Sequence, residues 1–327
     1  MVPSPTGVPA SGGYMSVIGV DVGGTKIAAG RLDPARAVTD SIVIPTPDGG
    51  MAIIDAIAGL VADLSAGSPD EVRAVGVGLP ATIDAITGRV AHSVHTGMVD
   101  FDAAGALEAA VGLPVFLGND ANLAALAEHR LGAGRGHAHV VLLTVGTGIG
   151  GGLIIDDQVF RGGRGHGAEL GHVSVDGNGP PCQGGCPNRG CIETMCSGTA
   201  LARAFRALAA DNPDTALGRL HAAGDLDSRS GLALAQQGDP EALAIVTTAG
   251  EWLGVAVTSL ANTFDPDIIL IGGGLSAAGE LLLGPARDIY QQRALPPTRR
   301  APLQVAALGP DAGMVGAGVM AHEGMGA

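Results

Sequence analysis

Apolar positions in this chain fall into short runs broken by glycine, and into a few longer stretches of helical spacing. Residues 16–33, SVIGVDVGGTKIAAGRLD, form an apolar run, a Gly-Gly turn and a second apolar run, which predicts a strand, a tight turn and a returning strand. Residues 53–64 repeat their apolar positions every three to four residues and predict a helix. VRAVGVGLP and LPVFLGND read as buried strands. The second runs directly into an alanine-rich helix, ANLAALAEHRLG, that stops at Gly132. The block AHVVLLTVGTGIGGGLIIDD then repeats the opening plan. With Asp21 set against Thr144, Val22 meets Val145, Gly23 meets Gly146 and Asp33 meets Asp156, so two related halves are expected. Beyond Gly162 lies a loop-rich insertion. It is followed by helical blocks at 197–210 and 240–264, the strand DIILIGGG and a closing helix in GMVGAGVMAH.

Composition narrows the class. A mean hydropathy of +0.33 with 54 glycines and 2% aromatic residues describes an α/β protein of small apolar side chains and tight turns. A net charge of −14 argues against nucleic acid as the main partner, because phosphate backbones demand a basic surface. The apolar run at 140–155 is broken by glycines and too short for a membrane span, and the first 13 residues lack the pattern of a secretory leader. A soluble, cytoplasmic protein is expected, with no membrane partner and no helix-turn-helix ahead of the first strand. Of 18 Lys and Arg residues, Lys26 is the lone lysine, and it falls in DVGGTK.

The candidate chemistry clusters in a few stretches. Glycine turns in DVGGTK and GTGIGGG let backbone N–H groups approach an anion without a Cβ in the way, and Thr25 and Thr147 add hydroxyl donors. Neither is a Walker A loop. As a pair, with IGGG as a third turn, they fit a nucleotide held between two lobes. Asp21 is placed to hold Mg²⁺ through water. In GND, Asp120 stands where a strand meets a helix. It could cap that helix or accept a proton from a substrate hydroxyl.

Cys182, Cys186 and Cys191 lie within ten residues, awkward for a disulfide and suited to one tetrahedral ion. The fourth ligand is His172 or Cys196, and His172 is preferred because a buried helical cysteine commonly acts as a small hydrophobe. Glu169 and Glu193 flank these ligands and, beside Asn119 and Asp120, suit sugar hydroxyls. His92, His95 and His166 read as loop or surface residues.

Together these motifs resemble the ROK family of bacterial sugar kinases and repressors, within the hexokinase–actin–Hsp70 fold. DVGGTK, GND, GTGIGGG, GAELGH, the cysteine loop with GCIE, and DPDIILIGGG occur in the family's order from Val17 onward. The resemblance implies two α/β domains of ribonuclease-H-like topology with ATP and sugar in the cleft between them. The expected division is a tail at 1–15 and a small domain at 16–135 to which a helix at 311–323 returns. The large domain is expected at 136–310, with a zinc loop at 166–198. The resemblance makes Asp120 the catalytic base and Asn119, Glu169, His172 and Glu193 the sugar ligands, His172 using its other ring nitrogen for zinc. It assigns Asp21, Gly23, Gly24, Thr25, Lys26, Gly146, Thr147 and Gly148 to the phosphates and Gly272, Gly273 and Gly274 to the adenosine side. The implied activity is ATP-dependent phosphorylation of a hexose at the 6-hydroxyl, glucose foremost, in a homodimer or homotetramer. N-acetylmannosamine, N-acetylglucosamine or fructose, polyphosphate as donor, and a non-catalytic sugar sensor are the alternatives. Three features depart from the family pattern: the C-x₃-C-x₄-C spacing, Ala81 where glycine is frequent, and HGAELGH in place of the AGEIGH type.

Overall fold

In the computed structural model, which describes residues 15–66, 70–84, 86–93, 96–183 and 185–326, two five-stranded sheets share one strand scheme. The first half begins with β1 (Met15–Val22), β2 (Lys26–Leu32), β3 (Val38–Pro45), α1 (Gly50–Ala66) and β4 (Glu71–Leu79). A small sheet of β5 (Thr82–Ile83), β6 (Val90–His92) and β7 (Val99–Phe101) follows, then α2 (Ala103–Val111), β8 (Val115–Asn119) and α3 (Asp120–Arg130). The second half begins with β9 (Val140–Val145), β10 (Ile149–Ile155) and β11 (Gln158–Val159). It continues through α4 (Ile192–Cys196), α5 (Gly198–Asp211), α6 (Ala216–Ala223), α7 (Ser228–Gln236) and α8 (Pro240–Phe264). It closes with β12 (Ile268–Gly272), α9 (Glu280–Arg293), β13 (Leu303–Val305) and α10 (Ala312–Met325).

The first sheet runs β3-β2-β1-β4-β8 and the second β11-β10-β9-β12-β13. In each, three antiparallel strands are extended by two parallel ones. The repeat seen in the sequence is therefore a repeat of topology. Its ungapped overlay slips at the turn, however. Val22 pairs with Ile27 but Val145 pairs with Ile149, so the second turn is one residue shorter and Asp33 does not stand opposite Asp156.

Both sheets are covered on both faces, and their inner strands accordingly read as continuous apolar runs. On one face of the first sheet, Ile53, Ile57, Leu60 and Leu107 from α1 and α2 pack on Val20, Ile27 and Val77. On the other, α3 and α10 bring Leu123, Met314 and Ala317 against Val17, Leu32 and Ala74. α3 also reaches the second sheet, where Ala124 and Ala125 meet Leu142, Ile154 and Leu270. Its far face is covered by α5, α8 and α9. By length and apolar composition α8 could cross a membrane, but it packs against α9, α7 and α5 in the second core.

Several boundaries differ from the sequence reading. Met15 belongs to β1 rather than to the tail, and residues 1–14 lie outside the described residues. The last helix runs Ala312–Met325, not 311–323, and packs on β1, β2, β4 and β8 of the first half. Between 210 and 240 the chain forms α6 and α7, and α9 forms despite Gly284 and Pro285. His92 ends β6, and His95 lies outside the described residues.

Where α10 lies on the first sheet there is no room for a side chain. A Cβ on Gly76 of β4 would sit 1.8 Å from the Ala317 carbonyl oxygen, and one on Gly316 would sit 1.9 Å from the Leu123 oxygen of α3. Gly59, on the open face of α1, has nothing within 4 Å of such an atom. Gly76→Ala should lower stability by about 1–3 kcal/mol through overpacking. Gly59→Ala should raise it by about 0.5–1 kcal/mol through helix propensity. Urea unfolding of the two variants is the measurement; equal and small effects would show that α10 is not clamped.

Candidate active site

The helices α3 and α10 both begin at the gap between the two sheets. Asn119 ends β8 and caps α3, its side-chain oxygen accepting from the Asn122 N–H at 3.1 Å. Its amide donates to the Ala81 carbonyl at 3.4 Å and so ties the cap to the loop after β4. The Ala81 methyl is buried in the first core, so this departure from glycine adds no bulk to the cleft. Asp120 is then the first residue of α3. Asp21 lies on the same side of β1 as Val17 and Gly19, by the alternation of a strand, and so faces the start of α10. A Cβ on Gly313 there would meet the Asp21 carboxyl carbon at 2.6 Å.

Asp21, Asp120, Thr144, Gly272, Gly273 and Gly313 line one cavity of about 170 Å³. Burial raises the Asp21 carboxyl to about 6, against the opposing pull of Lys26. Asp120 is raised further, to about 7, first by burial, then by the charge of Asp21, with a smaller push from Glu169; the Ala121 N–H works the other way. Two carboxylates thus lie near one another at the positive ends of two helices; the helix ends favour a phosphate, and the carboxylates favour a proton or a cation beside it.

Three glycine turns rim this cavity or lie close to it. The first turn is held by Thr46, whose hydroxyl donates to the Gly23 carbonyl at 2.7 Å, while the Gly23 N–H donates to the Lys26 carbonyl at 2.9 Å. Gly24, Thr25 and Lys26 are exposed at its tip. The second turn is held by the start of α5: the Gly198 N–H donates to the Gly146 carbonyl at 2.7 Å and the Thr199 hydroxyl to that of Thr147 at 2.9 Å. In the third, Gly273 has φ +79° and a Cβ there would sit 2.5 Å from the Val145 oxygen, so only glycine fits. Gly274 opens the short helical turn that follows.

Glu193, read as a free sugar ligand, is partly engaged. One carboxylate oxygen accepts from the Ile149 N–H at 2.8 Å, directly beside Gly148. It therefore braces the phosphate-type turn while its other oxygen stays available. Glu169 is exposed and precedes the helical turn Leu170–His172. His166 is exposed on the loop of the second half.

His172, Cys182, Cys186 and Cys191 come together, their ligand atoms all within 4.8 Å of one another. A tetrahedral ion with metal–sulfur bonds near 2.3 Å needs donor spacings of roughly 3.8 Å, so this donor set fits one ion. His172 presents Nδ1, 3.4 Å from the Cys182 sulfur. Burial and the neighbouring thiols push Cys182 up to about 12, a proton that a cation would displace. Cys196 stays apart, fully buried in α4 with its thiol donating to the Ile192 carbonyl at 3.5 Å.

Thr144, Gly309 and Gly313 also line the cavity but carried no assignment from the sequence. For Thr144 a signal existed, since the repeat already sets it opposite Asp21.

The whole-chain comparisons agree with this geometry. A glucokinase of Streptomyces coelicolor is 38% identical over 313 residues, covering 94% of this chain and 97% of that protein. A glucokinase of Halalkalibacterium halodurans is 37% identical over 314 residues, covering 94% of each. The crystal structure of a ROK family glucokinase from Streptomyces griseus, in complex with glucose and AMPPNP, superposes with a TM-score of 0.83 at 38% identity. It covers 94% of this chain and 99% of that one. With the ROK family model matching residues 17–324 as well, the chain belongs to the ROK family.

Proposed function

We propose that this chain is a hexose kinase that transfers the terminal phosphoryl group of ATP to the 6-hydroxyl of glucose, with Asp120 as the base. The observation that carries the mechanism is the placement of Asp120. It is the first residue of α3, half-buried and lining the interlobe cavity with Asp21, with a carboxyl held at about 7. A base of that strength is half ready at neutral pH to take a hydroxyl proton. As the sugar oxygen bonds to phosphorus and the bond to the bridging oxygen of ADP breaks, the hydroxyl proton passes to Asp120 and ADP leaves. The glucokinases to which the chain is similar, and the glucose- and AMPPNP-bound structure, support both the sugar and the nucleotide.

In this reading Asn119, Glu169, His172 and Glu193 hold the sugar hydroxyls. The turns at 23–26 and 146–148 hold phosphates, and Gly272–Gly274 faces the adenosine. Asp21 offers the hard oxygen donor that Mg²⁺ prefers, and the ion when bound would neutralise charge on the terminal phosphate. Zinc is the ion that fits a set of three thiolates and one imidazole. The small unit is residues 16–135 with α10, and the large unit is 136–310. The reading places the enzyme in the cytoplasm, where ATP is available. Assembly as a homodimer or homotetramer belongs to the same reading. The groove formed by Pro180, Met195, Leu201, Ile245 and Trp252 gives an apolar face for a second copy.

A coupled assay over a panel of hexoses with ATP and Mg²⁺ should show glucose as the preferred acceptor; no turnover with any hexose would overturn the reading. Asp120→Asn should abolish turnover while glucose still binds by calorimetry, and near wild-type rates in that variant would remove Asp120 from the mechanism. In the wild type, kcat/KM for glucose should fall about tenfold per pH unit below about 7, as the base is protonated. Because folding raises the Asp120 carboxyl above its ordinary value, its contribution to stability declines as pH rises from about 4 through about 7. Asp120→Asn should therefore raise the melting temperature more at pH 8 than at pH 5. For the metal, Cys186→Ser should lower the zinc content measured by mass spectrometry and Cys196→Ser should leave it near one per chain. Loss only in the latter would reverse the ligand assignment.

A further inference from the structure

We infer that Glu128 is a positioning residue. It locks together the two chain crossings between the halves, and thereby keeps Asp120 aligned with the nucleotide side of the cleft. The inference extends the hexose-kinase reading and rests on it for its kinetic test.

Glu128 is 0% exposed. Glutamate is almost never buried so fully without a partner. Among the described residues no cation pairs with it; its partners are three backbone N–H groups. One carboxylate oxygen accepts from Ala133 at 2.9 Å and from Ala307 at 3.0 Å, and the other accepts from Leu308 at 2.7 Å. The chain passes between the halves in two places, after α3 toward β9 and after β13 toward α10. Ala133 lies in the first crossing, and Ala307 and Leu308 lie in the second. A single carboxylate therefore holds both.

The same groups shape the site. Asp120, Ala124 and Glu128 follow one another on one face of α3, and all three line the cavity. Glu128 sits two turns, about 12 Å, from the base. The segment it grips supplies Ala306, Gly309 and Pro310 to the wall opposite, beside Gly272 and Gly273. Loosening that grip moves the nucleotide wall relative to α3 and leaves the proposed sugar ligands, on other segments, in place. An acceptor-only carboxylate matches three donors; an amide of the same size must turn its own N–H₂ toward at least one of them.

The test uses the full chain as wild type, Glu128→Gln and Glu128→Ala, with Ile57→Val in the first core as a mildly destabilised control. Each is assayed at the same interval below its own melting temperature. Glucose affinity without nucleotide, affinity for a non-hydrolysable ATP analogue, kcat and the two KM values are measured. Expected for Glu128→Gln are a fall in kcat of tenfold or more, a severalfold weaker nucleotide, and glucose affinity within twofold of wild type. Glu128→Ala should be worse, and Ile57→Val should keep wild-type kinetics. Wild-type kcat and nucleotide affinity in a folded Glu128→Gln, or parallel loss of glucose and nucleotide binding, would overturn the inference. If neither variant folds, hydrogen exchange of the wild type decides. Protection of the amides of 133, 307 and 308 that rises with the ATP analogue and glucose together supports it, and unchanged exchange overturns it. A wild type inactive on every hexose would instead sink the kinase reading, leaving Glu128 to be judged on analogue affinity and exchange.

Discussion

The structure depends on the packing of α3 against α10, made close by the absence of side chains where they meet each other and the first sheet. α3 follows the last strand of the first sheet and packs on the second sheet; α10 follows the last strand of the second and packs on the first. Each helix thus belongs by sequence to one half and also packs on the other. Backbone atoms approach at Gly316 and Gly76 to distances at which a methyl group could not fit. The consequence is functional. A helix that crosses between sheets must start at the edge of the gap, so both N-termini open into it. Asp120 and Gly313 sit where they do because of that crossing.

Placing two carboxylates at this point has an electrostatic cost. Burial holds Asp21 and Asp120 above the usual carboxylate range, and the charge of Asp21 pushes Asp120 further. The charge environment is set by backbone as much as by side chains. Only one lysine exists in the chain, and Lys26 lies on the turn nearest Asp21, where it lowers that carboxyl. The rest of the positive potential comes from helix ends and turn N–H groups. Such a site suits a substrate that brings its own negative charge together with a cation, and repels a bare second anion.

Much of this was legible in the sequence, and the reasons for the omissions are physical. Central strands covered on both faces carry unbroken apolar runs, so β1, β4, β9 and β12 were evident, and the edge strand β8 was evident because its apolar run leads straight into the helix start at Asp120. The other edge strands are not so marked. β3 exposes every residue but Ile42 and Ile44, and β11 and β13 have only two and three residues. α9 carries Gly284 and Pro285, which read as breakers, yet it forms because it packs along α8. In the site, residues that share a motif were visible together, while those brought in by topology were not. Gly309 and Gly313 lie almost two hundred residues from Asp120. Glu128 looked like any helical glutamate ahead of an arginine, since nothing in its neighbours announces that its partners are backbone groups from a distant segment.

The cysteine cluster makes the same point in a loop that lacks an apolar core of its own. Cys191 caps α4, and the Ile192 N–H donates to the Val173 carbonyl at 2.9 Å, so the cysteine end of the loop is stitched to the strand-like segment after His172. Two residues beyond Cys191, Glu193 reaches the backbone of β10 beside the second glycine turn. His172 turns Nδ1 toward the cysteines, which leaves its other ring nitrogen free. An ion gathered by these four residues would therefore fix, in one step, the carboxylate of Glu193, the orientation of the His172 ring and the turn at Gly146–Gly148. The unusual cysteine spacing is tolerated because the two outer thiols are set by segments already hydrogen-bonded together. Cys182 donates its N–H to the Asn188 carbonyl at 2.8 Å, which ties the first cysteine to the segment leading into Cys191.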